Sequence, residues 1–378
     1  MLKFLFFCVL CFASHRLAAQ NNWTFMNDSY SGINSAALSP TQPFLNPNPW
    51  DVNLVSADLF LQNDYAYISK QSLLGILKTP IYTANPRQNF TGENNANVFD
   101  FYNKDNANLI FNSDILGPSF SMTANIKEKK YVFGIFSRLR TQSSVLDFDN
   151  YLRFGNEMVT QPPAYEMQPF GSTTMNWGEI GLNAATSIFP YSDKQLILGL
   201  NLKYEMGFDA ANIISHKNID LTVSEPAAGE NPDLLNIYAS NYDLAVNYIT
   251  NYNSENKSYD YKQNGSGLGL DLGLTMINRN PREEDYQSRF SLNILDLGYV
   301  NFKNGINHSF ANGSTVWLQN NPNLEDQKFE SPEQYLKLLS QEAYGDEDNS
   351  FVGNGFKMGL PTSVNLNYSQ SSKEDHLI

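Results

Sequence analysis

Residues 116–142 read LGPSFSMTANIKEKKYVFGIFSRLRTQ and contain two alternating stretches joined by a charged turn. Apolar side chains recur at every second position from Phe120 to Ile126, and the alternation restarts with Tyr131, Phe133, Ile135 and Leu139. A period of two residues is typical of a β-strand whose two faces meet different surroundings. The lysine-rich turn at 127–130 then predicts an antiparallel hairpin. The pattern alone leaves open whether the apolar face packs on a soluble core or meets lipid.

The same hairpin pattern occurs twice more along the chain. Residues 177–189 and 196–204 alternate between apolar side chains and glycine, polar or charged ones. Residues 267–276, GLGLDLGLTM, place an apolar side chain at every second position, and a return strand starts at 289. Each stretch is about ten residues long, which is what a tilted strand needs to cross the hydrocarbon layer of a membrane.

The N-terminus has the features of a secretory signal peptide. Lys3 precedes the apolar run of residues 4–13, and small residues follow before the chain becomes polar. We assign residues 1–19 to the signal peptide, since the run is too short to span a bilayer as a helix. Its removal takes away Cys8 and Cys11, so the mature chain offers no disulfide, thiolate metal site or cysteine nucleophile.

The charge of the mature chain excludes one class of partner. Loss of the two basic residues of the signal peptide takes the formal net charge from −14 to −16. This acidic balance argues against nucleic-acid binding, which needs a basic surface. No other apolar segment is long enough for a spanning helix, so a form of this protein that crosses a membrane must be a closed β-barrel.

The connections alternate in length, which favours the membrane alternative. Outer-membrane barrels have short periplasmic turns and long external loops. The sequence therefore predicts an all-β protein: an antiparallel outer-membrane β-barrel of a Gram-negative bacterium, with about eight spanning strands in residues 52–378 and long external loops. The short turns are at 127–130, 190–195 and 277–288, and the long links are at 142–176, 206–265 and 303–353.

Two further segments carry local signals. Residues 20–51 contain four prolines, which disfavour regular structure, so we expect a periplasmic lead-in or a plug. Ser331 followed by Pro332 predicts the start of a helix over residues 331–345. We interpret it as a surface helix on an external loop.

Three segments carry a resemblance to a known family: residues 27–54, 291–302 and 356–369. They resemble an uncharacterised family of Bacteroidota outer-membrane β-barrels, which is distantly similar to FadL-type fatty-acid transporters and PorV-like barrels. The family's lead-in turn has a Leu-Asn-Pro-Ala type of sequence, and Ser39 stands here where asparagine is usual. The matching residues are Gly32, Ala36, Ala37, Leu38, Ser39 and Pro40, then Asp296, Leu297 and Gly298, then Leu360, Pro361 and Thr362.

The resemblance implies two alternative functions. The first is a FadL-like channel for passive uptake of small or hydrophobic solutes. The second is a structural or partner-binding barrel, associated with secretion or adhesion, that acts through its external loops. Both imply contact with outer-membrane lipid, and the second implies envelope protein partners. Because the related barrels are larger, we expect the barrel to be incomplete in this sequence.

Charged residues at alternate positions are the candidate lumen-facing site. They could select solutes in a polar lumen, or pair with one another and fill a narrow interior. We favour the second interpretation, because buried charges are normally paired. The candidates are Arg138, Arg140, Glu179, Lys203, Glu205, Asp271 and Arg289.

The sequence gives no support for an enzyme, a metal site or a cofactor. The three histidines of the mature chain, His216, His308 and His376, lie in separate loops or the tail, and no nucleophile elbow is found. The acidic segment 345–350 departs from the calcium-loop pattern, so we expect it to be solvated. The glycine-rich run 264–273 opens a strand instead of a helix, which excludes a dinucleotide fingerprint.

Overall fold

The computed structural model describes most of the chain after the predicted signal peptide. The signal-peptide assignment, parts of two predicted turns (191–193 and 280–285) and the C-terminal tail lie outside the described residues. The structure describes residues 30–69, 98–101, 106–149, 164–190, 194–228, 236–253, 258–279, 286–319, 321 and 331–370.

The described chain is mainly antiparallel β-structure with little helix. The helical parts are a 3-10 turn at Gly32–Ser35, a single helical turn α1 at Gln42–Leu45, and helix α2 at Pro332–Tyr344. No described helix is long and apolar enough to cross a bilayer. The strands are β1 Trp50–Asn53, β2 Ser56–Asn63, β3 Ala66–Ser69, β4 Val98–Phe101, β5 Asn106–Leu116, β6 Ser119–Ile126, β7 Lys129–Asp149, β8 Ala164–Met167, β9 Gly171–Pro190, β10 Lys194–Ser215, β11 Ile219–Ser224, β12 Asn236–Ser240, β13 Asp243–Ile249, β14 Tyr252–Asn253, β15 Ser258–Tyr259, β16 Gly265–Arg279, β17 Tyr286–Ala311, β18 Val316–Gln319, β19 Phe351–Gly359 and β20 Ser363–Gln370.

Twelve of these strands form one antiparallel sheet. Some strands continue one another along a single line, so the sheet has eight rows. This confirms the predicted all-β, antiparallel class. In order across the sheet, the rows are β1 with β2, β5 with β6, β7, β9, β10, β13 with β16, β17, and β19 with β20.

The three predicted hairpins are confirmed. Strands β6 and β7 pair with Phe120 opposite Ile135, and only Lys127 and Glu128 lie between the two strands. Both turn residues have positive φ, at 49° and 64°, as the tightest hairpin turns require. Strands β9 and β10 form the second hairpin, and β16 and β17 form the third.

The long links predicted as loops are wrong in extent. Strand β7 continues to Asp149, β10 to Ser215 and β17 to Ala311, well beyond their apolar alternation. In these extensions the strict alternation is interrupted: β7 continues with the polar residues 141–144, β10 has apolar side chains at adjacent positions such as Ile213 and Ile214, and β17 continues with residues 303–305, which are polar or glycine. Pairing between backbones continues nevertheless, because the hydrogen bonds of the ladder do not depend on side-chain polarity.

The segments between the extended strands form a separate outer unit, which comprises the sheet β18-β12-β11-β8 and helix α2. Helix α2 follows Ser331 and ends at Gly345, whose φ of 76° is the left-handed cap typical of glycine. The predicted helix is therefore confirmed. It lies at the surface with one face packed: Leu336 and Ala343 are buried in an apolar core with Leu221 of β11, Val246 of β13 and Phe310 of β17.

The two faces of the eight-row sheet have opposite polarity and opposite exposure. The apolar side chains are exposed: Leu202 is 54% exposed and Leu268 is 73% exposed. The polar side chains of the other face are buried: Lys203 is 2% exposed and Asp271 is 0% exposed. Soluble proteins show the reverse distribution, with charged residues outside. We call these the apolar face and the polar face.

Candidate functional site

The polar face brings five of the seven predicted charged residues into one charge network. Glu179 lies at its centre: it accepts hydrogen bonds from Arg138 at 3.1 Å, Arg140 at 2.8 Å and the Trp177 indole at 2.8 Å. The Arg140 guanidinium also lies 4.7 Å from the centre of the Trp177 ring. Glu179 and Trp177 are completely or almost completely buried, so these contacts are shielded from water.

Lys203 forms the second part of the network. Its ammonium group pairs with Asp271 at 2.9 Å and with Asp296. Asp296 also pairs with Arg140 at 2.9 Å, which joins the two halves of the network. Asp271 is further held by the Asn201 side chain, at 2.9 Å, and the backbone N–H of Asp296, at 2.7 Å.

Two members of the network were not among the predicted site residues. Asp114, on β5, pairs with Arg138. Asp296 lies at an irregularity of β17, where two residues face the single Asp271, and its φ is 58°. At such a bulge a side chain can point to the face opposite to the one that strict alternation predicts.

The other two predicted residues have different surroundings. Glu205 is completely buried and lies opposite Glu179 on β9, and neither of its carboxylate oxygens has a hydrogen-bond partner among the described residues. Arg289 is also buried, but it lies opposite Ile277. Ile277 is six residues along β16 from Asp271, or about 20 Å, so Arg289 lies outside the network.

Residues 32–46, which we call the inner segment, pack on the polar face beside the network. Four side chains of the sheet fix it: Asn201 donates to Ala36 O at 2.8 Å and Asn183 to Pro40 O at 2.9 Å. Ser39 donates to Asn293 Oδ1 at 3.1 Å, and the Thr41 and Thr275 hydroxyls are 2.6 Å apart.

Glycines of the polar face make room for the inner segment. A Cβ at Gly199 would lie 2.4 Å from the Pro40 carbonyl carbon, and one at Gly134 would lie 2.7 Å from Ile33 Cδ1. Both distances are below what neighbouring atoms tolerate. Gly134 and Gly199 therefore allow the inner segment to pack closely against the sheet.

The segments that carry the family resemblance lie together in the fold. Leu360 N donates to Gly298 O at 3.0 Å, and the Thr362 hydroxyl donates to Asp296 O at 2.8 Å. Gly32 has a φ of 51°, and a Cβ there would lie 2.1 Å from the Asp51 carboxylate, which accepts from Ile33 N at 2.7 Å. These short motifs thus hold the inner segment and the network in place.

A cavity of about 280 Å³ lies between the inner segment and the network. Leu38, Arg138, Arg140 and Trp177 contribute to its wall. The two edge rows of the sheet also contribute, through Phe60 of β2 and Ser363 of β20. Side chains from both edge rows of the sheet therefore line the cavity.

The described residues contain no group of three or more histidine, cysteine, aspartate or glutamate side chains arranged to hold a metal ion. In the acidic segment 345–350, Asp346 accepts from the backbone of Asp348, and Asp348 pairs with Lys337 of α2 at 3.5 Å. This segment thus caps the end of the helix in the outer unit. His308, which was assigned to a loop, is on β17, buried against Ser350 at 2.8 Å.

Comparison with known proteins gives one match. No curated protein and no solved structure matches the chain. The model of a family of unknown function, DUF5723, matches residues 51–376. Since this match covers most of the chain, the protein belongs to the family of unknown function DUF5723.

Proposed function

We propose that this protein is a non-enzymatic outer-membrane β-barrel whose interior is closed by the inner segment, and that its outer unit binds a protein partner at the cell surface. A Gram-negative source, and among these a Bacteroidota source, is part of the proposal.

Membrane placement rests on the exposed apolar face. Typical monomers expose apolar patches of about 300–600 Å² at most, and larger ones mark membrane or protein contacts. On β17 the apolar face extends from Phe290 to Tyr299, roughly 30 Å along the strand and roughly 23 Å after tilting, close to the apolar band of outer-membrane barrels. Tyrosines with lysines over their rings lie at both ends: Lys129 over Tyr131 at 5.5 Å and Lys357 over Tyr299 at 4.7 Å. This arrangement is typical of membrane interfaces.

Closure into a barrel is supported by the cavity beside the network. The cavity takes lining residues from β2 in the first row and from the start of β20 in the last row. The two edges of the sheet therefore curve toward one another. An unpaired edge in lipid would leave backbone groups without hydrogen bonds, which strongly favours closure of the sheet.

The single observation that carries the closed interior is the set of four hydrogen bonds that fix residues 36–41 on the polar face. Above the network the polar face also holds an apolar cluster that includes Met175, Phe302 and Met358. An eight-stranded barrel encloses a space that side chains alone can fill. The charges are therefore proposed to fill and stiffen the interior.

A partner-binding role rests on the outer unit. Its small sheet buries one face against α2, while Tyr238 and Trp317 stack on the other face with ring centres 5.4 Å apart. Aromatic residues are enriched in protein interfaces. We propose this aromatic pair as the contact for an envelope or cell-surface protein.

The experiment is conductance of the purified full-length protein in planar bilayers, combined with alkaline extraction of membranes. We expect the protein to remain in the membrane fraction and to show no steady conductance above the lipid background, with rare openings at most. Steady porin-like conductance by the wild-type protein would contradict the closed interior, and recovery as a soluble protein without detergent would contradict membrane placement.

A second candidate function, passive uptake of a small solute, is favoured by the cavity of about 280 Å³ beside the inner segment. This volume suits a small molecule, and uptake would require the inner segment to move. Flux of a solute into liposomes that depends on displacement of this segment would support uptake over the structural role.

A further inference from the structure

The apolar face contains a depression that the proposed function does not use. It has a volume of about 670 Å³ and crosses five rows, from Tyr131 and Phe133 on β7 to Leu292 and Ile294 on β17. Neighbouring strands are about 4.8 Å apart, so the groove is about 19 Å wide. Its floor includes the small side chain of Ala184, between larger side chains on either side.

One end of the groove is basic. Lys129 is two residues from Tyr131 on the same strand face, about 7 Å away, and its ammonium group lies over the Tyr131 ring. Lys194 precedes Leu198 of the groove by four residues, about 13 Å along β10. Neither lysine has a carboxylate partner in the part of the chain that the structure describes; in the sequence Glu128 adjoins Lys129 and Asp193 adjoins Lys194.

We propose that this groove binds an anionic phospholipid, with its acyl chains along the apolar floor and its phosphate between Lys129 and Lys194. The proposal rests on the membrane placement argued above. The short turns of the barrel are expected on the periplasmic side, so the lipid belongs to the periplasmic leaflet. Charge complementarity selects the occupant: an apolar groove alone accepts any hydrocarbon, whereas two lysines at one end, without a carboxylate partner among the described residues, favour a phosphate with net negative charge.

Arg279 lies at the same end of the sheet but on its polar face, two positions from the buried Ile277, and it donates to the Gln195 side chain at 3.3 Å. Lys129 and Lys194 therefore supply the positive charge of the apolar face beside the groove. The opposite end of the face carries Lys357 over Tyr299, outside the groove, and this residue offers a matched control.

The test is native mass spectrometry of the full-length protein in detergent with added phosphatidylglycerol or phosphatidylcholine. We expect preferential retention of phosphatidylglycerol, and a loss of about fivefold for each lysine in the variant Lys129→Gln with Lys194→Gln. Lys357→Gln should leave the preference unchanged. Ala184→Phe, which fills the groove, should reduce retention of both lipids.

Equal retention of the two lipids by the wild-type protein, or a preference that survives the double lysine variant, would overturn the proposal. A protein dimer that Ala184→Phe dissociates would show that a second copy, and not a lipid, occupies the groove. Alkaline extraction separates these outcomes from a failure of membrane placement, since a protein that leaves the membrane fraction fails both proposals. A protein that stays there without lipid preference fails only this one.

Discussion

The inner segment should be displaced by a single methyl group on the sheet. In Gly199→Ala, the new Cβ would lie 2.4 Å from Pro40 C and 2.5 Å from Thr41 N, both backbone atoms. Ordinary carbon contacts begin near 3.4 Å, so the segment must move by about 1 Å. The clash cannot be relieved by rotation of a side chain.

The magnitude follows from the hydrogen bonds around Pro40. A shift of about 1 Å breaks the bonds of Ser39, Pro40 and Thr41 to the sheet, which now measure 3.1, 2.9 and 2.6 Å. At about 1 kcal/mol each, the loss is about 3 kcal/mol. The displaced state should therefore become more populated by about a hundredfold.

The assay is the frequency of channel openings in planar bilayers, with the thermal unfolding midpoint measured in parallel. We expect rare openings in the wild-type protein and about a hundredfold more in Gly199→Ala. Gly171→Ala and Gly359→Ala are matched controls, because a Cβ at either position meets no atom within 4 Å. In Gly273→Ala the nearest atoms belong to side chains, so the effect should be intermediate. If Gly199→Ala behaves like the two controls, the inner segment does not close the interior in the way proposed.

Three further predictions test the network, the outer unit and the apolar face. Glu179→Gln should destabilise the fold by about 3–5 kcal/mol, because it leaves buried cations without their carboxylate. Glu205→Gln, which removes no described hydrogen bond, should cost less than about 1 kcal/mol. The urea midpoint of refolding in vesicles measures both losses, and equal values would contradict the described pairing. Burial lowers the pKa of the His308 imidazole below 6.5, so the unfolded chain takes up a proton before the folded one does as pH falls. The contribution of His308 to stability is therefore present above pH 6.5 and is lost below it. Protection from hydrogen exchange around His308 should be lower at pH 5.5 than at pH 7.5, and His308→Gln should abolish this difference. Leu272→Arg on the apolar face should lower the free energy of unfolding in lipid by about 2–4 kcal/mol. Tyr252→Arg on the hairpin of β14 and β15 should change it by less than about 0.5 kcal/mol. Similar losses for the two variants would argue against lipid contact.

Strand positions were predictable because alternation is a local signal. Each hairpin with large apolar residues at every second position was found from the sequence. The ends of the strands were not, since polar residues after Arg140 and adjacent apolar residues after Glu205 interrupt the alternation, and only the pairing of backbones maintains the strand. Pairing depends on residues far apart in the chain, which a single-sequence pattern does not contain.

The site was predictable only as far as strict alternation holds. The odd-numbered positions of β9 and β10 place Glu179 and Lys203 on the same face of the sheet, where both side chains are buried. Asp296 was missed because the irregularity of β17 reverses which face its side chain takes. Arg289 obeys the alternation, yet it lies far from the network, because alternation specifies a face and not a height along the strand.

The composition of the inner segment indicates that different residues close the proposed interior and hold the sheet together. Residues 32–46 contain no charged side chain, so every ion pair of the network is made by the sheet itself. The segment can therefore leave the polar face without breaking an ion pair, although Lys130 would lose its bonds to the carbonyls of Phe44 and Asn46. The four hydrogen bonds that hold residues 36–41 to the wall amount to about 4 kcal/mol, which corresponds to a dissociation constant of about 1 mM. A partner or solute that competes for Asn183 and Asn201 could thus open the interior, whereas no comparable ligand could dismantle the network beneath it.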